Sequence, residues 1–294
     1  MTHLRLVGDV HGHYTTYYEI VSKMPCSFQL GDMGMDYADL NDAGLDPCRH
    51  VFISGNHDDY TLKERPDLSA DDTSILSPSS KLTVILPDEH FYIAESERYG
   101  IHLKECLPTF EEPTVCEYVN MPESNLGNFG IWNIPDTDWK IFYSRGAWSI
   151  DGEYRRRVQA DSQGVWWYPR EQLAVDECKA AIELYEKEKP DFVVSHAAPT
   201  LVLQNLNLVF SGGRIVPTNT GRMLEIMWEI HHPKLWVFAH YHQFWEGVID
   251  KTHFICLNQL PREGASLDLD KNLQILGVNL WERGDDPYHP HLAE

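Results

Sequence analysis

Five short apolar runs in this chain each end in a small residue followed by an aspartate, asparagine or histidine. Residues 4–7 open into Gly8-Asp9-Val10-His11-Gly12-His13, residues 27–30 into Gly31-Asp32, and residues 51–53 into Ser54-Gly55-Asn56-His57. Residues 192–194 lead to Ser195-His196, and residues 235–238 to Ala239-His240-Tyr241-His242. Apolar runs of this length bounded by glycine and serine read as strands. Loops beyond the carboxyl ends of strands are where open sheets hold ligands. A lone Gly-Asp or Gly-Asn pair is an ordinary turn, and a lone histidine after a strand is more often a surface or capping residue. Turn chemistry does not supply the same residue types at every exit. Carboxylate oxygen and imidazole nitrogen without thiolate suit a divalent transition ion.

The remaining chain reads as α/β. Residues 14–24 and 171–189 carry apolar residues at helical spacing, and Pro25 and Pro190 end those runs. Thr218 or Asn219 caps a third helix reaching Ile230. Residues 81–86, 91–94, 129–134 and 140–143 read as strands. Asp250-Lys251-Thr252 is a hairpin turn between residues 244–249 and 253–257. Beyond Glu263 the alternation at Leu267, Leu269, Leu273, Ile275 and Val278 suggests further β structure. Residues 60–125 break this rhythm and are expected to form an insertion or cap in a single domain spanning 1–294.

At 294 residues, with 43% hydrophobic and 12% aromatic side chains, the chain can bury a large core. Its net charge of −21 disfavours long nucleic acid and anionic membrane as partners. Such a protein must bring positive charge to a phosphate locally, and bound metal is one source. The six cysteines, at 26, 48, 106, 116, 178 and 256, form no Cys-x-x-Cys pair, so they read as reduced thiols. No stretch approaches 18 apolar residues, and the expectation is a cytoplasmic protein.

Together the five blocks resemble those of the calcineurin-like metallophosphoesterases: Asp-x-His, Gly-Asp, Gly-Asn-His-Asp, a His after a strand, and Gly-His-x-His. Residues 144–155, with Trp166-Trp167, are more loosely similar to small bacterial and phage members. The resemblance implies two stacked mixed β-sheets flanked by helices, with a dimetal site at their loop edge. It implies that Asp9, His11 and His242 hold one metal and that Asn56, His196 and His240 hold the other. Asp32 would bridge both, and His57 would serve the leaving group. The two ions would be manganese first, or iron or zinc. Together they would clamp a phosphate ester and acidify a bridging water whose hydroxide attacks phosphorus. Asp58, just after His57, would either orient it as an outer partner or be an ordinary turn residue.

Two positions depart from the family pattern. Ala239 stands where glycine is usual, which matters only if that backbone needs positive φ. Asp32 is followed by Met33-Gly34-Met35-Asp36 rather than the Val-Asp-Arg-Gly of the protein Ser/Thr phosphatases, whose arginine grips phosphate. Arg155 is the replacement expected to contact substrate. Arg145 is the second candidate, although a surface arginine is the ordinary reading of either. Trp148, Trp166 and Trp167 would line a base or sugar pocket or pack in the core. The expected activity is hydrolysis of a small-molecule or nucleotide phosphoester, as phosphatase or phosphodiesterase. The rivals are a protein phosphatase, a nuclease, and a non-catalytic phosphate- or partner-binding member.

Overall fold

A computed structural model describes residues 3–34, 37, 40, 44–60, 62–64, 67, 82–85, 114–118, 121–149, 151–152, 154–155, 169–205 and 218–279. Parallel strands β1 (Leu4–Val7), β2 (Cys26–Gln29) and β3 (His50–Phe52) begin one sheet. The chain returns to its other edge as β13 (Ser266–Leu269) and β14 (Ile275–Asn279), both antiparallel, in the order β14-β13-β1-β2-β3. The second sheet contains β7 (Phe129–Asn133), β8 (Lys140–Ser144), β9 (Phe192–Ser195), β10 (Leu235–Phe238), β11 (Trp245–Ile249) and β12 (Thr252–Cys256). Its order is β11-β12-β10-β9-β8-β7, with parallel pairing through its centre and a hairpin at each edge.

The two mixed sheets stack through one shared hydrophobic cluster. Leu4, Leu6, Phe28 and Val51 from the first meet Ile141, Val194, Val237 and Ile255 from the second. Strands buried on both faces read as continuous apolar runs, and β2, β9 and β10 are buried along their whole length. Helix α1 (Tyr14–Val21) covers the outer face of the first sheet with Tyr17, Ile20 and Val21. Helices α2 (Val175–Glu188), α3 (Thr200–Asn205) and α4 (Asn219–Ile230) lie on the second sheet, where Tyr185, Leu224, Met227 and Trp236 share a core. This layering aligns the carboxyl ends of β1, β2, β3, β9 and β10 along one edge. No helix among the described residues is long and apolar enough to cross a membrane.

Several boundaries differ from the sequence expectation for local reasons. The first helix stops at Val21, three residues early, where Met24 N–H turns back to the Val21 carbonyl in a tighter turn ahead of Pro25. The helix expected over 171–189 begins at Val175. There the Ala174 N–H is accepted by Glu177 Oε2 at 2.8 Å, and Lys189 closes the end in a left-handed conformation at φ 43°. Thr218 is the cap of α4, its Oγ1 accepting from Gly221 N at 2.9 Å. The expected hairpin turn is present with Asp250 and Lys251 at positive φ, and Thr252 already belongs to β12.

Strands β4 (Leu62–Glu64), β5 (Leu82–Ile85) and β6 (Thr114–Tyr118) pair antiparallel as a third sheet, in the order β4-β6-β5. The strand at β6 was not expected, and the one expected at 91–94 lies outside the described residues. Cys26, Cys48, Cys178 and Cys256 are free thiols.

Candidate metal centre

Asp9, His11, Asp32 and His242 bring ligand atoms to within 4.8 Å of one another, and so do Asp32, His196 and His240. Asp32 belongs to both groups. The turns that deliver these side chains are strained: His11, Asp32, His240 and His242 all have positive φ, between 47° and 72°. Non-glycine residues hold that conformation at a cost of about 1–3 kcal/mol each, and they do so where the surrounding structure compels it. Here the compulsion is backbone hydrogen bonding, since the Asp32 carbonyl accepts from Val10 N at 2.9 Å and His11 N at 2.8 Å. Ala239 is not among the positive-φ residues, so a methyl group replaces glycine there without backbone strain. Gly55 cannot be replaced so easily. A Cβ on it would collide with Asp32 Oδ1 and stand 2.5 Å from His196 Nε2.

His242 Nε2 lies 3.0 Å from both His11 Nε2 and Asp9 Oδ2, and His11 Nε2 is 3.8 Å from Asp32 Oδ2. On the other side, His196 Nε2 lies 3.4 Å from Asp32 Oδ1 and 3.1 Å from Asn56 Oδ1. The rings of His196 and His240 are 5.0 Å apart. The Nδ1 of His196 meets the Leu30 carbonyl at 2.7 Å, the outer partner that orients a ligating imidazole so that Nε2 faces inward.

These groups fit a cation better than one another. Asp9 Oδ2 and Asp32 Oδ2 are fully buried and face only histidine rings, with no backbone or hydroxyl donor on either. Buried carboxylate oxygens without partners are costly unless something positive faces them. Burial pushes both carboxyls upward, but the neighbouring histidines prevail, His11 and His242 at Asp9 and His196 at Asp32, and hold both well below the usual range. Burial disfavours a charge on His196, yet the Asp32 and Asp9 carboxylates push it up to about 9. Burial and the charge of His196 push His240 down to about 3, which leaves a free imidazole lone pair.

Asp58 departs from its expected role. It does not orient His57. Its carboxylate accepts from the backbone N–H groups of Asp32, Gly34 and Gly55 and from the Tyr37 hydroxyl, at 2.6–3.1 Å. It thus fastens the β2 and β3 exits together. Burial, followed by the Asp32 charge, pushes it up to about 6. The partner of His57 is Arg155, whose Nη2 lies 2.7 Å from Nδ1 and also touches Nε2. Arg155 Nε is paired with Asp151 at 3.0 Å, and the residue is buried. Burial pushes His57 down to about 4.

Arg145 is not a surface residue, and its hydrogen bonds reach none of the clustered side chains. It is wholly buried between the Tyr60 and Tyr118 rings, and it donates to Asn128 Oδ1, the Arg170 carbonyl and the Tyr118 hydroxyl. Trp148 is half-buried in the wall of a cavity beside His57. Trp166, Trp167, Arg156 and Arg157 lie outside the described residues.

Two residues that sequence reasoning passed over stand behind Asn56. Asn56 Nδ2 donates to Ser149 Oγ at 2.9 Å, and Ser149 donates its O–H and N–H to Glu171, at 2.5 and 2.8 Å. All three are buried. No sequence signal joins positions 56, 149 and 171; only the packing of a 3₁₀ turn at Pro169–Glu171 against the β8 exit does.

Comparison with known proteins agrees with this geometry. The family model of calcineurin-like phosphoesterases matches residues 3–244. No curated protein matches the chain. Among solved structures, GAP50, the anchor in the inner membrane complex of Plasmodium, is similar at 8% identity and a TM-score of 0.39, covering 97% of this chain and 91% of its own. A protein assigned as a 5′-nucleotidase from Staphylococcus aureus, in complex with α-ketoglutarate, is similar at 12% identity and a TM-score of 0.36, covering 94% and 52%. With a family match over more than four-fifths of its length and the family's residue types gathered at one sheet edge, the chain belongs to the calcineurin-like phosphoesterases and is a metal-dependent phosphoric ester hydrolase.

Proposed function

We propose that this hydrolase uses two metal ions, held on either side of Asp32, to cleave a small-molecule or nucleotide phosphoester. The observation that carries this reading is the shared carboxylate: Asp32 Oδ2 faces His11 while Oδ1 faces His196. Asp9, His11 and His242 would hold one ion, and Asn56, His196 and His240 the other. Oxygen and nitrogen donors without thiolate suit manganese, iron or zinc, and manganese is the first ion to test. When bound, such a pair neutralises phosphate charge and makes water a nucleophile at neutral pH.

The chain's own residues do the rest. Asn56 is a neutral donor, so it adds no negative charge to repel the phosphate. His57 stands at the edge of the cluster, with Nε2 4.0 Å from Asp32 Oδ2, where it reaches the leaving oxygen and serves it with a proton or an N–H hydrogen bond. Arg155 lies beyond His57 and takes the phosphate oxygens that face away from the ligand groups. Its fixed five-donor fork suits that task. The arginine of protein phosphatases is missing after Asp32, and the charge of −21 disfavours nucleic-acid strands. Those two features place small esters ahead of both rivals.

Elemental analysis after manganese loading and desalting tests the metal assignment, with close to two ions per chain expected. An activity screen over phosphomonoesters, cyclic nucleotides, dinucleotides and phosphopeptides then identifies the substrate. A protein that stays metal-free and inactive after loading with manganese, iron or zinc would remove the reading.

A further inference from the structure

A cavity of 270 Å³ opens beside the metal cluster, and His57, His240 and His242 stand in its wall. Much of the remaining lining is apolar. Trp148, Ala198, Leu203 and Tyr241 belong to it. Ala198 and Leu203 belong to the hydrophobic core between the second sheet and its helices, and Tyr241 packs against that core, so this wall is preformed. We propose that the cavity is the leaving-group subsite, and that it accepts an uncharged, ring-bearing alcohol such as a nucleoside while rejecting anionic leaving groups. The inference rests on the reading that His57 serves the leaving oxygen.

Position gives the first argument. A phosphate held over the cluster with its ester oxygen toward His57 projects its alcohol into the space His57 borders. Chemistry gives the second. Small-ligand pockets are mostly apolar with a few polar groups that set orientation. Here Trp148 contributes an aromatic side chain to the lining, and Thr200 and Thr218 are hydroxyl-bearing residues within it. Charge gives the third. Apart from histidines, the one charged side chain among the described lining residues is Asp151, an acid, so away from the proposed ions the described wall offers an anionic leaving group a carboxylate and no cation of its own. Size gives the fourth. The volume lies just below the about 300–1,000 Å³ of ordinary ligand pockets, room for one ring system and not for a folded peptide or a nucleic-acid strand.

The test uses the manganese-loaded protein with benzyl and ethyl phosphate, each as the monoester and as its methyl diester. A nucleoside 5′-monophosphate and the corresponding diphosphate complete the set. Benzyl and ethyl esters both leave as alkoxides, so their ratio reads the subsite more than intrinsic reactivity. Stacking on an aromatic side chain predicts a benzyl preference in kcat/KM of roughly tenfold to a hundredfold, with the diphosphate turned over less well than the monophosphate. Trp148→Ala and Ala198→Leu, which respectively remove and fill the site, should each reduce the benzyl-to-ethyl ratio about tenfold. Because the readout is a ratio, a loss common to both esters does not count. Equal use of benzyl and ethyl esters by the wild type overturns the subsite, as does a preference for the diphosphate or a ratio unchanged in both variants. A wild type that carries two metals yet cleaves none of these esters instead removes the functional reading beneath it.

Discussion

Nη2 of Arg155 stands 2.7 Å from Nδ1 of His57 and touches the other ring nitrogen as well. A guanidinium has donors only, so the contact takes a lone pair of the imidazole. The residue assigned to the phosphate oxygens and the residue assigned to the leaving oxygen are therefore each other's partners. On the proposed roles, an arriving phosphate would draw Arg155 away and free the ring of His57.

Arg155→Ala should weaken both turnover and product inhibition. A hydrogen bond to a charged group contributes about 1.5–3 kcal/mol, so kcat/KM and the inhibition constant for inorganic phosphate should each worsen roughly tenfold to a hundredfold. Arg157→Ala is the control and should do neither. Equal effects from the two substitutions, measured by steady-state kinetics, would count against Arg155.

His57→Ala should lower kcat by on the order of 10²–10⁴-fold for alkyl esters, the range for a lost general acid. Metal content should be retained, since His57 is not in either ligand group. The loss should shrink for nitrophenyl esters, whose leaving group needs no proton. A loss of the same size for alkyl and nitrophenyl esters would leave His57 an electrostatic role only.

The residues that cluster at the sheet edge were legible because each is announced locally, by a buried strand ending in glycine, serine or alanine and then a polar side chain able to bind metal. Strands such as β9 and β10 were legible as short apolar runs, whereas the stacking of two mixed sheets followed from the family resemblance. Contacts made at a distance were not. Asp58 adjoins His57 in sequence, yet the β3 exit turns its carboxylate back onto the amides of Asp32 and Gly34. Arg145 looks like any arginine until β6 brings Tyr118 over it. That strand was missed because five residues between Pro113 and Pro122 are too few to show a period.

Arg145→Ala should destabilise the protein without touching the chemistry. Removal of the guanidinium strips Asn128 Oδ1 and the Arg170 carbonyl of a buried donor. Each orphaned acceptor costs about 1–3 kcal/mol, so the loss should be roughly 2–6 kcal/mol in urea unfolding. Arg145→Lys should recover little of it, because an ammonium cannot reproduce the planar fork between two tyrosine rings. A loss below about 1 kcal/mol would mean that these acceptors find water instead.

Glu171 should govern one metal and not the other. A carboxylate only accepts, so the Ser149 hydroxyl must donate to Glu171, and its oxygen must then accept from Asn56. That polarity forces the NH₂ of Asn56 toward the serine and its carbonyl toward His196 and the proposed ion. Glu171→Gln lets the chain of donors reverse, with the amide donating to Ser149 and Asn56 free to turn over. Loss of such an outer partner typically weakens metal affinity 10–100-fold. The weakening should fall on the ion at Asn56, His196 and His240 and spare the one at Asp9, His11 and His242, as read by chelator competition on the manganese protein. Ser149→Ala should do the same, and the double variant should be no worse than either single one, because the two residues act through one hydrogen bond. Equal weakening of both ions would reduce Glu171 to a general structural role, and unchanged affinity at both would remove it from the site.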